Sequence, residues 1–266
     1  MICFDIPVIL VALGVGIPFV GTVLGSACVF FAKKPLHEKV RRGMMAFAAG
    51  VMVAAAVWSL LIPSIEASRP MAWGAVLPFA GFWLGVLILF AIDKLTPHLH
   101  LGGSSPEGLK VSLSKSAMIA LAVTIHNIPE GMAIGVVFAG WLTGASVVPV
   151  SLSSAIAVSL GIAVQNFPEG AIVSLPLRAE GASRKKAFLL GLVSAVAEAL
   201  AAIVTLLLSQ FMLPALPCLL ALAAGAMVYV VVEELLPEAS TGVHFDGATL
   251  LFAVGFSMMM LLDTAL

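Results

Sequence analysis

The sequence predicts an all-α membrane protein: eight transmembrane helices in a 3+2+3 inverted-repeat arrangement, forming a single transmembrane domain over residues 1–266. Three observations carry this expectation. Hydrophobic residues make up 61% of the chain against 10% charged, with a mean hydropathy of +1.16. A soluble chain of this size would lack the polar surface to cover its core, whereas a bilayer makes an apolar exterior the stable choice. The apolar residues also fall into eight runs, each near the roughly 20 residues needed to cross a membrane. Finally, the basic residues collect on one side of the expected topology, as set out below.

The spans are expected at about 7–32, 43–63, 71–92, 114–140, 149–176, 187–210, 214–236 and 247–265. The first lacks the basic leader of a secretory signal and is long enough to stay as a membrane helix. The loop after span 1 carries Lys33, Lys34, Lys39, Arg41 and Arg42. The loop after span 3 carries Lys94, Lys110 and Lys115, and that after span 5 carries Arg178, Arg184, Lys185 and Lys186. These loops hold all of the 13 basic residues except Arg69. The positive-inside rule puts them in the cytoplasm and both termini outside. An odd number of spans would scramble that asymmetry.

Two motif pairs occupy mirrored positions. Ala48-Ala49-Gly50-Val51-Met52-Val53 in span 2 returns as Ala223-Ala224-Gly225-Ala226-Met227-Val228 in span 7, and each copy is followed by a proline, Pro63 or Pro237. His126-Asn127-Ile128-Pro129-Glu130-Gly131 in span 4 returns as Gln165-Asn166-Phe167-Pro168-Glu169-Gly170 in span 5. Small residues alone are common in membrane helices, where they permit close packing. Two pairs whose members run in opposite directions point instead to an inverted repeat of three spans, two central spans and three spans.

The polar stretch 93–113, centred on Gly102-Gly103-Ser104-Ser105-Pro106, reads as a flexible cytoplasmic linker. His98 and His100 within it are too few donors for a closed metal site and read as solvated polar residues, as do His37 and His244. Cys3, Cys28 and Cys218 are widely spaced and lack CxxC pairing, which excludes a disulfide framework and a thiolate zinc site. With no soluble domain to carry a basic face, nucleic-acid binding is excluded too.

The central pair carries the chemistry. In a helix, His126, Asn127 and Glu130 are expected to converge on one face, and Gln165, Asn166 and Glu169 to do the same on span 5. Pro129 and Pro168 lack the amide hydrogen that would satisfy the carbonyls of Ile125 and Val164, and such freed carbonyls persist at membrane depth only where protein, water or an ion meets them. Gly131 and Gly170 are expected to bring the two helices close together. One imidazole, two carboxylates and several amide oxygens suit a divalent transition metal such as zinc, and the lack of thiolate argues against copper(I). Two carboxylates neutralise a 2+ ion; without it they repel, so ion release is expected to be coupled to protonation of the Glu130/Glu169 pair. Glu198, mid-span in span 6, must also meet a proton or a cation. Glu233 and Glu234, near the end of span 7, and Glu66, near the end of span 2, read as interfacial or entry and exit groups rather than central ligands. Met52 is ambiguous, since methionine fills apolar gaps far more often than it binds metal.

The paired motifs, their spacing, the buried Glu198 and the Ala-Ala-Gly repeat together resemble the ZIP family of divalent-metal transporters, bacterial type, over nearly the whole chain. The resemblance implies a binuclear centre between spans 4 and 5. His126, Glu130, Gln165 and Glu169 would hold the transported ion with Met52 nearby, while Asn127, Asn166 and Glu198 would complete a second site bridged by the two glutamates. Many members have His at the position of Gln165 and some have Asp at that of Asn166; both departures here are neutral, weaker ligands. The resemblance further implies an elevator-like movement of the central helices, Zn2+ as the transported substrate with Fe2+, Mn2+ and Cd2+ in the same class, and a place in a bacterial inner membrane. Its partners would be metal ions, the lipid bilayer and a second copy in a homodimer.

The function expected is therefore gradient-driven import of divalent metal, since no ATP-binding motif is present. The rival is an intramembrane metalloenzyme, because metal held by His and Glu can activate water. The absence of HExxH and the duplication of one motif in opposite directions favour transport.

Overall fold

A computed structural model describes residues 6–32, 36–71, 73–97, 115–144, 150–179, 181–211, 213–240 and 245–266. Cys3, Lys33, Lys34, Lys110, His98, His100, His244 and most of the 93–113 linker lie outside these described residues. Among the described residues, eight helices are long and apolar enough to cross a membrane. They are α1 (Ile6–Phe31), α2 (Glu38–Ser68), α3 (Val76–Leu95), α4 (Lys115–Leu142), α5 (Leu152–Ala179), α6 (Arg184–Phe211), α7 (Leu216–Ser240) and α8 (Asp246–Ala265). In hydrocarbon a helix satisfies its backbone polar groups within the segment, so runs of this composition have no other open structure available.

Side chains at the helix starts supply the caps that lipid cannot. The His37 imidazole accepts from the amide of Lys39 at 3.2 Å at the start of α2, and the Ser151 and Ser183 hydroxyls accept from Ser154 and Lys186 at the starts of α5 and α6. The first turn of α2 is charged and held by an Arg41–Glu38 pair at 2.7 Å, so hydropathy places its start at residue 43 rather than Glu38. Conversely, α3 begins later than residue 71, because successive turns fold back at Met71 and Gly74, whose amides donate to the carbonyls of Ser68 and Met71.

Pro63 and Pro237 lie inside α2 and α7 rather than at their ends. Each follows a wide π-helical stretch, Ala56–Leu61 in α2 and Val231–Leu235 in α7. A proline ring clashes with the carbonyl four residues back, and a π-turn opens the ladder just ahead of it. Both stretches begin six residues after the matched glycines Gly50 and Gly225, so the repeat is one of backbone geometry as well as sequence.

The helices pack in two sets related by the same mirroring. Helix α1 packs most extensively on α5, as α4 does on α6; α2 packs on α8, as α3 does on α7. In the second set the contacts run through glycine. Gly50 meets the backbone of Phe252 and Gly255 that of Phe47, while Gly225 meets the backbone of Phe82 and Gly85 that of Leu222. A side chain at any of these positions would force the helices apart. Buried positions make up 67% of the apolar windows of α2, α4, α5 and α7, against 11 to 33% in the other four helices. The motif helices α4 and α5 are therefore sheathed, with α2 and α7 beside them, by four helices whose outer faces are apolar.

Candidate metal centre

Both motif helices continue unbroken through Pro129 and Pro168. Successive residues of a helix are about 100° apart, and that rotation divides each motif between two faces. His126 and Glu130, four residues apart, line a central cavity. Asn127 and Gly131 form the next stripe, and Asn127 is buried away from that cavity. The expectation that His126, Asn127 and Glu130 converge on one face is thus corrected. On α5, Glu169 lines the cavity, while Gln165, one turn earlier, turns toward α4 and donates from Nε2 to Glu130 Oε1 at 2.6 Å.

The glycines also act elsewhere than expected. A side chain at Gly131 would run into the carbonyl of Glu198 and, at 3.0 Å, the amide nitrogen of Ala202; one at Gly170 would run into the carbonyl of Thr22 and, at 2.8 Å, the amide nitrogen of Ser26. They close α4 on α6 and α5 on α1, not α4 on α5, because their stripe faces away from the shared cavity.

The cavity holds about 30 Å³. A water-sized particle needs roughly 10–15 Å³, so the space suits two or three such particles. Its walls come from four helices: Met45 and Met52 of α2, Val123, His126 and Glu130 of α4, Glu169, Ile172 and Val173 of α5, and Val230, Glu234 and Leu235 of α7. Met52 is therefore a wall residue and not merely core filling. Among the described residues, Glu130 Oε2, Gln165 Oε1 and Glu169 Oε1 are enclosed oxygens without a hydrogen-bond partner. Glu130 lies within Coulombic reach of Glu169 and Glu198, and Glu169 within reach of Glu198 and Glu234. An ionised side chain at the centre of a membrane helix costs about 2.5–3.5 kcal/mol on insertion scales. Three left uncompensated would rival a protein's whole stability of roughly 5–15 kcal/mol, so this concentration of acidic oxygens calls for positive charge.

Of the interfacial or entry and exit groups expected from the sequence, Glu234 lies deeper than an interfacial position. It is 4% exposed, and its Oε2 meets Nδ1 of His126 across the cavity. A carboxylate accepting from Nδ1–H fixes the imidazole tautomer and leaves the Nε2 lone pair to ligate. The π-turn in α7 carries Glu234 inward, whereas its neighbour Glu233 is exposed. A regular helical wheel cannot anticipate that shift. The usable signal was the proline three residues on, at the position mirroring Pro63.

Asn166, Glu198 and Asn127 do not line the cavity. Asn166 Nδ2 donates to Glu198 Oε2 at 2.8 Å and reaches the carbonyl of Pro18 in α1 at 3.5 Å, which makes an adjoining polar cluster between α1, α5 and α6. The Asn127 amide has no hydrogen-bond partner among the described residues. Also among the described residues, no three His, Cys, Asp or Glu side chains stand together at metal-holding distance. The donors line a space rather than enclose a point.

Beyond Met52 the bundle interior is filled by apolar side chains. Leu60, Ile134, Phe138, Ile162, Leu220 and Met227 are buried to 1% exposure or less and belong to one apolar cluster. The cavity extends instead toward the end where α2 begins and α5 and α7 finish, past Met45, Val173 and Leu235. At that end Arg41 bonds Glu238 at 2.8 Å and the Arg42 guanidinium donates to the carbonyl of Ala239 at 2.9 Å, tying α2 to α7.

Inverted-repeat membrane helices around a central cavity of imidazole, carboxylate and thioether are the build of a membrane transport protein for a cation. Comparison with known proteins gives the family. A family model described as "ZIP Zinc transporter" matches residues 102–263. The chain is 38% identical to Zinc transporter ZIPB of Bordetella bronchiseptica over 96% of its own length and 80% of that protein's. It is 35% identical to Zinc transporter ZupT of Corynebacterium glutamicum, covering 85% and 88% of the two chains, and 32% identical to human Zinc transporter ZIP11, covering 92% and 94%. The chain belongs to the ZIP family.

Proposed function

We propose that this protein imports divalent transition-metal ions, zinc foremost, across a bacterial inner membrane through the cavity between α4 and α5. Fe2+, Mn2+ and Cd2+ are further substrates of the same class. The observation that carries the reading is the cavity of about 30 Å³ lined by His126, Glu130, Glu169 and Glu234 inside an apolar bundle. Relatives named zinc transporters over most of the chain support zinc, and support transport over the hydrolase alternative.

In this reading His126, Glu130 and Glu169 bind the ion, with Met52 as a soft wall. Gln165 holds Glu130 until the ion arrives, then turns its oxygen toward it. Asn127, Asn166 and Glu198 form an adjoining second position that shares the charge of the glutamates. Glu234 receives the ion from His126 on the way out past Met45. Movement between two access states divides the helices into α1, α4, α5 and α6 against α2, α3, α7 and α8. The most extensive packing falls within these sets, and the cavity lies on the boundary between them. Both termini lie outside the cytoplasm, and the basic end of α2 faces inward.

The test is purified protein in liposomes loaded with a zinc indicator. Wild type is expected to admit zinc and Glu169→Ala to lose most of that uptake. Equal entry in both would remove Glu169 from the pathway.

A further inference from the structure

We infer that a groove on the lipid-facing side of α5, between it and the α2–α8 pair, binds an anionic phospholipid. The groove has a volume of about 400 Å³, and its walls include Lys39, Met44 and Phe47 of α2, Pro168 of α5, Phe245 just ahead of α8 and Leu251 of α8. That volume lies within the roughly 300–1,000 Å³ range of small-ligand sites. It accommodates a stretch of acyl chain rather than a whole lipid.

The occupant follows from where the charge sits. The lining is apolar except for Lys39, which stands in the first turn of α2, at the end that the chain's basic residues mark as cytoplasmic. Its Nζ lies 5.9 Å from the centre of the Phe245 ring, and the Arg42 guanidinium lies 5.5 Å from the same ring. A cation at the headgroup level above an apolar slot fits a negatively charged headgroup whose chain runs down the slot. Basic pockets between membrane helices on the cytoplasmic side bind acidic lipids in this way. The neighbouring surface supports a lipid: Val40 and Leu251 of the groove are 49% and 37% exposed, and Val164 and Phe167, close to Pro168 in sequence, are 39% and 44% exposed, an apolar surface suited to hydrocarbon.

The site goes beyond metal transport and does not depend on it. It does touch both helical sets, because Pro168 immediately precedes Glu169 while the remaining walls belong to α2 and α8. A lipid seated there contacts the two sets at once.

The experiment is native mass spectrometry of the full-length protein in detergent, with added phosphatidylglycerol or phosphatidylcholine. One lysine near an anionic headgroup contributes enough for about a fivefold preference. Wild type is expected to retain phosphatidylglycerol about fivefold over phosphatidylcholine, and Lys39→Gln to lose that preference. Val40→Trp, at an exposed position beside the slot, is expected to reduce retention of both lipids. Both substitutions sit on an exposed turn, and unchanged melting temperatures would show that they fold. Equal retention of the two lipids by wild type, or a preference that survives Lys39→Gln, overturns the inference. So does a loss of dimer in Val40→Trp with lipid retention intact, which would make the groove a protein interface.

Discussion

Gln165 of α5 donates its amide to Glu130 of α4 at 2.6 Å, across the boundary between the two halves of the inverted repeat. Where its mirror-image counterpart His126 offers an imidazole, Gln165 offers a weaker donor that is already engaged. The two positions are related by sequence symmetry but not by chemistry.

Replacing Gln165 by His restores an imidazole to that position. Zinc affinity is expected to rise by about tenfold, in the range by which single ligand changes alter metal sites, and release to slow. Calorimetric titration with stopped-flow flux reads both; no change in either removes Gln165 from contact with the ion.

Glu234→Gln keeps the shape of the side chain and removes its charge. Uptake is expected to fall by about tenfold with equilibrium affinity altered less, because Glu234 contacts His126 and, in the proposed pathway, lies on the way out. A loss confined to affinity, with the maximal rate unchanged, would reject the hand-off role.

Zinc affinity is expected to weaken as pH falls from about 8 to 5, since protons compete with the metal for imidazole and carboxylate and ligands bind only when deprotonated. Titrations across that range check the sign. Affinity indifferent to pH would count against the Glu130/Glu169 pair as ligands.

Gly131→Ala is expected to lower stability by about 1–3 kcal/mol, as overpacking does, because the added carbon meets the α6 backbone, which cannot swing aside. Gly16→Ala in α1 is the control, since its added carbon meets nothing within 4 Å. Melting curves in detergent should separate the two, and equal melting temperatures would show that the α4–α6 contact has slack.

The eight spans were legible because hydropathy over 20 residues needs no tertiary information. The central motif was legible because Asn, Pro, Glu and Gly in one apolar run break every local rule at once. What escaped was rotation. Asn127 and His126 are sequence neighbours, yet one faces packed helix and the other the cavity. Gly131 and Gly170 announce close approach without saying to which neighbour. The depth of Glu234 was lost for the related reason that a π-turn changes the register of everything after it, and no sequence periodicity records that change.

The apolar packing around Phe138, Ile162 and Leu220 has an electrical consequence. A membrane potential drops across whatever insulates, and a field of about 100 mV is worth roughly 2.3 kcal/mol for each elementary charge that crosses it. With apolar packing filling the bundle interior beyond Met52 and the cavity on its other side, most of that drop would fall across the packed part. In the proposed reading, an ion at His126, Glu130 and Glu169 would then already stand close to the potential of the side toward which the cavity extends. Voltage would act on the rearrangement that breaks the insulation, and only weakly on the ion's final step out.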